Sequence, residues 1–138
     1  MEKQLLEFIN RYYGELGVGD TPQNKSECVG LIEVWLDILG INDPHLWGNA
    51  KDLLANADPA KFDIVMNDPN DYHQFPPYGA IMVAGLQWGS GLGHCGVVLR
   101  ANGYNFSLFQ QNDPVGSYPH IKDYSNYAGW EGWLIPKL

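Results

Sequence analysis

Two residues in this sequence could combine as a nucleophile and a base. Cys28 stands where an apolar helical pattern begins, and His94 opens the apolar run Gly93-His94-Cys95-Gly96-Val97-Val98-Leu99. At a helix N-terminus, the helix dipole and unpaired backbone N–H groups favour the thiolate form of a cysteine. An imidazole that faces this thiolate takes the thiol proton and later returns one to a leaving amine. The pair therefore predicts a cysteine hydrolase, with Cys28 as nucleophile and His94 as general base.

Each of these residues has a simpler interpretation when it is taken alone. A cysteine at a helix start is commonly a small buried hydrophobe, and a histidine at a strand end commonly bonds a nearby carbonyl. Cys95 follows His94, so the two-residue period of a strand points its side chain to the opposite face. We expect Cys95 to fill the core and to take no part in the chemistry.

A third polar group is needed to orient the imidazole. In the strand that follows the one containing His94, the two-residue period places Gln110 and Asn112 on one face, with Phe109 and Gln111 on the other. Either amide oxygen, that of Gln110 or that of Asn112, could accept the imidazole N–H. Ordinary hydrogen bonds at a polar strand end are the alternative interpretation.

Helical patterns dominate the first part of the chain. Apolar residues at helical spacing predict a first helix over residues 2–16 and a second from about 27 to 39, with Ser26 as its N-cap and Gly40 just after its end. The second helix is apolar on more than one face, so we expect it to be the central one. A short helix is predicted near residues 50–55.

The period changes to that of strands from residue 79 onward. We pair the second and third of these strands antiparallel, because Asn102-Gly103 lies between them and this dipeptide tolerates the positive φ angles of a tight hairpin. Helices followed by antiparallel strands make an α+β fold. The predicted strands are residues 80–84, 96–99, 106–109 and 130–135.

Length and charge limit the classes of function. A chain of 138 residues suits one domain, residues 1–138, in which 1–20 form an N-terminal helix and lead-in. Eight basic against sixteen acidic residues leave a net charge of −8, which disfavours nucleic acid and anionic lipid as partners. The N-terminal residues lack the apolar stretch of a signal peptide, and no run is long enough to insert in a membrane. We therefore expect synthesis in the cytoplasm without a signal peptide.

The sequence resembles the CHAP domain, the cysteine, histidine-dependent amidohydrolase/peptidase family common in bacteriophage lysins. The similarity extends roughly from Thr21 to the C-terminus. It implies a papain-like fold, with N-terminal helices packed on a small antiparallel sheet, and cleavage of peptidoglycan as an endopeptidase or an N-acetylmuramoyl-L-alanine amidase. By position, Cys28 is the nucleophile and His94 the base. The resemblance is carried by Asn24-Lys25-Ser26-Glu27-Cys28-Val29-Gly30-Leu31, Trp47-Gly48-Asn49-Ala50, Pro77-Tyr78-Gly79-Ala80-Ile81-Met82-Val83, Gly93-His94-Cys95-Gly96-Val97-Val98-Leu99 and Gln110-Gln111-Asn112.

The chain also departs from the family pattern. The family often has Glu-Gln-Asn where this chain has Gln110-Gln111-Asn112, so an amide replaces the carboxylate that would stabilise imidazolium. Glu27 replaces the usual Gln before the nucleophile, and its carboxylate would raise the pKa of Cys28 unless it points away. Some relatives bind calcium through an Asp-rich loop, but here that loop keeps only Asp20, and Gly30 stands two residues after Cys28. We expect no calcium at this place and no cofactor.

Three further residues are candidates for substrate binding. The backbone N–H of Cys28 would meet the oxyanion, together with the side chain of Gln23 from the preceding loop. Trp88, in the Gly-rich loop before His94, is a candidate wall of a substrate groove. Trp47 is a second candidate wall, with core packing as its alternative role.

The resemblance implies a phage-type hydrolase, either an endolysin or a virion-associated lysin, that acts on peptidoglycan peptide at the bacterial cell wall. Such a protein reaches the wall after release through a membrane pore or as part of a virion, which makes other phage virion or lysin subunits candidate partners. A weakly active or inactive structural virion or binding protein that keeps the fold is the alternative, motivated by Gln110 and Glu27. An intracellular amidase or deubiquitinase-like papain relative, including the NlpC-type branch, is a third possibility.

Overall fold

Helices come first and strands follow in the computed structural model, which describes residues 1–43 and 48–138. The helices are α1 (Glu2–Tyr12), α2 (Cys28–Leu39) and α3 (Leu53–Asn56), with a 3-10 turn at Ala50–Asp52 before α3 and another at Gly89–Gly91. The strands are β1 (Phe62–Met66), β2 (Ile81–Ala84), β3 (His94–Ala101), β4 (Phe106–Gln110), β5 (His120–Tyr124) and β6 (Trp130–Pro136). They form one antiparallel sheet in the order β1-β6-β2-β3-β4-β5. The predicted α+β, papain-like architecture is confirmed.

Helix α2 is the central helix, as its apolar pattern predicted. Gly40 closes it in the left-handed conformation, with φ 74°, and this part of the prediction is confirmed. The N-cap is Glu27 and not Ser26, because Ser26 takes a positive φ of 76° in the loop and its N–H bonds the Val18 carbonyl. Cys28 is consequently the first residue of α2.

The main core lies between the helices and one face of the sheet. Phe8 of α1 stacks on Trp35 of α2, with ring centroids 5.2 Å apart, and meets Phe109 of β4 edge-on at 5.4 Å. Each fully buried aliphatic or aromatic side chain stabilises the fold by about 2 kcal/mol. The central residues of this core are Leu5, Phe8, Leu31, Ile32, Trp35, Leu36, Ile81, Val83, Cys95, Val97, Phe109 and Leu134.

The opposite face of the sheet carries a second, aromatic-rich cluster. It is covered in part by Trp88 and Tyr127, which come from loops. Its buried members are Ala80, Met82, Ala84, Val98, Phe106, Leu108, Tyr124, Trp130 and Trp133. Because both faces are covered, β2 is buried along its whole length.

The sheet extends further than the sequence pattern predicted. Strands β1 and β5 were not predicted, and each forms an edge of the sheet. Their side chains are largely exposed, so they lack the apolar run that marked the inner strands. Helix α1 ends at Tyr12, four residues before the predicted end. None of the helices in the described ranges is long and apolar enough to cross a membrane.

The hairpin between β3 and β4 is antiparallel as predicted, but its turn works differently. Neither Asn102 nor Gly103 takes a positive φ. The Asn102 side-chain oxygen instead accepts the N–H groups of Tyr104 and Asn105, at 2.8 and 2.9 Å. Gly103 is required for space, since a Cβ there would lie 1.7 Å from the Tyr72 carbonyl oxygen.

Candidate active site

A cavity of about 850 Å³ opens where the N-terminus of α2 meets the start of β3. Cys28 and His94, the predicted nucleophile and base, both line it. Residues from four further segments complete the wall: the loop before α2, residues 48–50 ahead of α3, the loop that leads into β3, and the loop after β4. The lining residues outside α2 and β3 are Asp20, Thr21, Gln23, Asn24, Glu27, Gly48, Asn49, Ala50, Gly89, Ser90, Leu92, Gly93, Asn112, Asp113 and Val115.

The first turn of α2 is fixed against the loop that precedes it. A Cβ at Gly30 would lie 2.1 Å from the Asn24 carbonyl oxygen and 2.9 Å from that of Val18, so only glycine allows this contact. The buried Gln111 side-chain amide donates to the carbonyls of Val18 and Glu27, both at 2.6 Å. Gln111 therefore ties the end of β4 to the helix start that carries Cys28. The sequence pattern placed Gln111 on the strand face opposite Gln110 and gave it no role.

His94 is held rigidly at the first position of β3. It is paired with Ala84 of β2 and is only 3% exposed. The preceding residue, Gly93, has φ +83°, and a Cβ there would lie 2.5 Å from the Lys51 amide nitrogen. The Trp130 ring meets the imidazole edge-on, with centroids 6.1 Å apart. Glycine before the histidine thus lets the loop from residue 89 pass close to Lys51 and enter the strand.

Gln110 fixes the tautomer of His94. The Gln110 Nε2 group donates to the Asp113 carbonyl at 3.3 Å, so its Oε1 atom faces the other way and acts as the acceptor. Oε1 lies 3.1 Å from His94 Nε2 and receives the Tyr124 hydroxyl at 2.6 Å. His94 Nε2 is consequently the protonated nitrogen, which leaves Nδ1 free to accept a proton from Cys28. Burial raises the pKa of Tyr124, as does the nearby Asp113 charge, so the phenol stays a donor.

Asn112 is not the partner of His94. Strand β4 ends at Gln110, and Asn112 follows in a turn with φ 65°, so the predicted shared strand face of Gln110 and Asn112 is wrong. The Asn112 side chain donates to Glu27 Oε2 at 3.3 Å and accepts the Gly116 N–H at 2.8 Å. Of the two amides that the sequence left open, the structure places Gln110 against the imidazole.

The surroundings of Cys28 favour its thiolate. The pKa of Cys28 is lowered to about 5, first by a hydrogen bond from the Cys95 side chain and then by a hydrogen bond and the charge of His94, against the opposing effect of burial. The Glu27 carboxylate, which could have raised this pKa, takes the hydrogen bond from Asn112 instead and is not among the causes of the shift. These effects favour the thiolate, the reactive form of a cysteine nucleophile.

Cys95 is fully buried in the main core, as the strand period predicted. It is also among the groups that lower the pKa of Cys28. The sequence pattern did not indicate this influence on Cys28.

The cavity has an acidic electrostatic character. Glu33 lines it one turn after Cys28, and burial raises the pKa of Glu33 to about 7, helped by the charges of Asp20, Asp37 and Asp43. Its Oε1 atom is buried and has no hydrogen-bond partner. Among the described lining residues there are four carboxylate side chains and no Lys or Arg. A strongly anionic ligand is disfavoured by this lining.

The three residues predicted to bind substrate have different outcomes. Gln23 lines the cavity and is exposed to solvent. Trp88 is not among the lining residues, and its ring packs instead on Trp130 and Tyr124, at centroid distances of 5.5 and 5.8 Å. Trp47 lies outside the described residues.

The loop before α2 is organised by its own side chains. Asp20 Oδ1 accepts the Asn24 side-chain amide at 2.6 Å, and Asn24 Oδ1 accepts the N–H groups of Asp20 and Thr21. Within residues 1–43 and 48–138, there is no group of three or more His, Cys, Asp or Glu side chains placed to hold a metal ion.

Comparison with solved structures supports this fold. No protein-family model and no curated protein matches the sequence. The chain is similar to the crystal structure of the wild-type endolysin LysIME-EF1, with 23% identity and a TM-score of 0.75 over 97% of this chain. It is also similar to the structure of Ly7917, with 17% identity and a TM-score of 0.70 over 97% of this chain. A second Ly7917 structure, with the hydrolyzing product of MDP, matches at 16% identity and a TM-score of 0.70 over 99% of this chain. The chain spans 61 to 63% of the length of these proteins, so the match concerns a part of each.

Proposed function

We propose that this chain is a peptidoglycan hydrolase of the CHAP type, with Cys28 as nucleophile, His94 as base and Gln110 as the group that orients His94. The observation that carries this proposal is the convergence of Cys28, the first residue of α2, and His94, the first residue of β3 and bonded to Gln110, on one cavity. The lowered pKa of Cys28 supports it. Perturbed nucleophiles beside a base in a concave site are typical of active sites.

The comparisons support the wall-directed part of the proposal. One similar structure is an endolysin, and another was solved with the hydrolyzing product of MDP. At 16 to 23% identity, these similarities show the fold alone, so the activity is argued from the site. The motifs that resemble the CHAP family supply the cysteine and histidine of this site. We assign residues 1–138 to a single catalytic domain.

The proposed reaction begins with the Cys28 thiolate. It attacks the carbonyl carbon of an amide bond in the wall peptide, while the proton taken by His94 Nδ1 goes to the leaving nitrogen as the C–N bond breaks. The product of this step is a thioester on Cys28 and a free amine. Water then attacks the thioester with His94 as base, which releases a carboxylic acid and returns the thiol.

The tetrahedral intermediate requires hydrogen-bond donors for its oxygen. The N–H groups of the first turn of a helix have no partner within the helix, and Cys28 is the first residue of α2. Its N–H is therefore the first donor, and Gln23, which lines the cavity, is the second candidate. Gln110 holds the imidazole by a neutral amide, so imidazolium receives dipole stabilisation without a full counter-charge.

The substrate follows from the character of the cavity. Carboxylate side chains and the absence of Lys or Arg among the described lining residues favour the peptide part of the wall over an anionic polymer. We place the action of the protein at the bacterial cell wall, reached after release through a pore or as part of a virion. Other virion or lysin subunits are the proposed means of holding an acidic protein at that surface.

Digestion of purified peptidoglycan tests the proposal. New N-terminal amines within the stem or cross-bridge, identified by mass spectrometry, would show an endopeptidase, and a freed lactyl group would show an amidase. The Cys28→Ala variant is the matched control and should release neither. If the wild-type protein releases no fragment but sediments with the wall, the proposal fails and a binding protein that keeps this fold is the better description.

A further inference from the structure

Gln111 is a buried amide whose contacts reach the peptide group of the proposed nucleophile. It follows β4 directly and is 0% exposed. Its Nε2 atom lies 2.6 Å from the Val18 carbonyl oxygen and 2.6 Å from the Glu27 carbonyl oxygen. Only the NH2 end of the amide can face two acceptors, and each of its hydrogens serves one of them. The Glu27 carbonyl and the Cys28 N–H belong to the same peptide group, so this contact acts on the unit that carries the proposed oxyanion donor.

The Glu27–Cys28 peptide group is held by its carbonyl. The Glu27 oxygen accepts the Gly30 N–H at 3.0 Å as well as the Gln111 amide, so it is fixed from two directions. A trans peptide is planar, with its C=O and N–H on opposite sides. With the carbonyl directed at Gln111 and into the first turn of α2, the Cys28 N–H points the other way, out of the helix start. The direction of this N–H is consequently set from the carbonyl end of its peptide.

Neither of the two carbonyls depends on Gln111 for its only hydrogen bond. The Val18 oxygen also accepts the Ser26 N–H, at 3.0 Å, and the Glu27 oxygen has that of Gly30. The Oε1 atom of Gln111 is buried and has no hydrogen-bond partner among the described residues. Burial of an unpaired amide oxygen costs free energy that an apolar side chain of the same length would avoid. The amide is therefore a poor device for stability alone, which favours a role in orienting the peptide.

Gln111 also stands next to the residue that orients the proposed base. Gln110 Oε1 lies 3.1 Å from His94 Nε2, and the following side chain bonds the peptide that leads into Cys28. Two consecutive residues at the end of β4 thus hold the imidazole and the Glu27–Cys28 peptide in one frame.

We propose that Gln111 is a positioning residue, whose amide holds the Glu27–Cys28 peptide so that the Cys28 N–H is directed at the oxyanion of the tetrahedral intermediate. A hydrogen bond at a carbonyl polarises the whole peptide group, so the same contact strengthens the N–H as a donor. The inference rests on the proposed function, because the oxyanion forms only if the chain cleaves an amide bond.

Gln111→Met tests this role, because methionine has a similar length and no donor. Hydrolysis of purified peptidoglycan passes through an oxyanion, whereas alkylation of Cys28 by iodoacetamide displaces iodide and forms none. Fragment release by Gln111→Met should fall by about tenfold, less than on deletion of an oxyanion donor, because the N–H is misdirected and not removed. The rate of Cys28 alkylation and its pH midpoint should stay close to those of the wild type. A role confined to holding the helix start in place would lower both rates together.

The amide nitrogen chemical shift of Cys28 gives a readout that does not depend on hydrolysis. This shift responds to hydrogen bonding at the preceding carbonyl, so Gln111→Met should move it more than the shifts of the later amides of α2. Val97→Ala is the control for packing, since Val97 is fully buried in β3. It should lower the thermal unfolding temperature and leave both the Cys28 shift and the ratio of hydrolysis to alkylation unchanged. Should Gln111→Met not fold, Gln111→Asn, whose amide is one methylene shorter, makes the same comparison.

The outcomes separate this inference from the proposed function. A Gln111→Met variant as active as an active wild type would overturn the inference alone, as would equal falls in hydrolysis and alkylation or an unchanged Cys28 shift. A wild-type protein that cleaves no peptidoglycan would overturn the proposed function and the oxyanion role of Gln111 with it, whatever the chemical shift shows.

Discussion

Two concavities of nearly equal size lie on this molecule, of about 850 and 860 Å³. The first contains Cys28 and His94. The second is lined by residues 66–69, 71–72, 74, 103–104 and 125–131, and none of the described residues that line it is a cysteine or a histidine. Its most prominent feature is a pair of exposed, stacked tyrosines, Tyr72 and Tyr104, with ring centroids 5.1 Å apart.

The difference between them lies in how their polar groups are used. In the second cavity, Asp68 and Asp71 accept backbone N–H groups two residues further along, so they close local turns. At the first cavity, Cys28 of α2 and His94 of β3 converge. They are held by bonds across long sequence separations, from His94 to Gln110 and from Gln111 to the Glu27 carbonyl. Volume therefore does not distinguish the two cavities. Convergence of a nucleophile and a base from separate elements does.

The largest expected effect is the loss of peptidoglycan hydrolysis on substitution in the first cavity, compared with little change on substitution in the second. Cys28→Ala removes the nucleophile and should lower peptidoglycan hydrolysis by about 10³-fold or more, to the background rate. Tyr104→Ala, in the second cavity, should leave the rate within about twofold, because no chemistry is assigned to that surface. Turbidity loss of purified walls measures both. Strong loss of activity in Tyr104→Ala with normal folding would contradict the comparison and give the second cavity a part in substrate binding.

The next largest effect is expected for His94, the proposed base, and for the pH dependence of Cys28 alkylation. With the pKa of Cys28 at about 5, alkylation of the wild-type thiol should be nearly constant above pH 6 and fall as pH drops through 5, because protonation removes the thiolate. His94→Ala removes a group that lowers the pKa of Cys28, so the midpoint should move upward. Hydrolysis should fall by about 10²-fold or more, since the leaving amine then lacks a proton donor.

His120 provides the matched control for that experiment. It is partly buried at the start of β5, opposite Gln110 in the β4–β5 pair, bonds the Tyr118 carbonyl at 2.7 Å and is not among the residues that line the first cavity. His120→Ala should leave both the midpoint and the rate near those of the wild type. An unchanged Cys28 midpoint in His94→Ala would mean that the two residues do not form a catalytic pair.

Much of this arrangement could be predicted from local sequence patterns. A second helix that begins near Cys28, a strand near His94 and the α+β order all follow from hydrophobic period and turn residues, although the N-cap was placed one residue too early. The influence of Cys95 on the pKa of Cys28 could not be predicted, because the two-residue period gives only the face on which Cys95 lies. How close the helix start approaches that face depends on packing across Gly30 and Gln111, which join segments distant in sequence. The edge strands β1 and β5 were missed for a related reason, since solvent and not the core covers most of their side chains.

A smaller effect is expected at Gln110, because this residue orients His94 and transfers no proton itself. Gln110→Ala leaves the buried His94 Nε2–H and Tyr124 hydroxyl without their acceptor, so stability should fall by about 1–3 kcal/mol. Hydrolysis should fall by about tenfold, since the imidazole loses its fixed tautomer but stays beside Cys28. Tyr124→Phe removes only the second hydrogen bond to Gln110 Oε1 and should leave the rate within about twofold. An Ala variant as active as the wild type would show that packing alone orients His94.

The smallest expected effect is on the free energy of unfolding of the protein, through Glu33 in the acidic lining of the first cavity. The pKa of Glu33 is raised to about 7, chiefly by burial, so between its unfolded value and pH 7 the folded protein binds more protons than the unfolded chain. The free energy of unfolding should therefore fall as pH rises through this interval, and the loss is complete above pH 7. Because the carboxyl group is still partly exposed, we expect the loss to be about 1 kcal/mol.

Glu33→Gln isolates the contribution of Glu33 to the pH dependence of the free energy of unfolding, because the amide keeps the shape of the side chain and does not titrate. Urea unfolding should show the variant to be more stable than the wild type at about pH 8 and similar to it near pH 4.5. Glu7→Gln, on the exposed face of α1, is the control and should show no such pH-dependent gain. A Glu33→Gln variant that is less stable than the wild type at pH 8 would mean that the fold needs the ionised carboxylate. Glu33 would then have a structural role, like the carboxylates of the second cavity that close local turns.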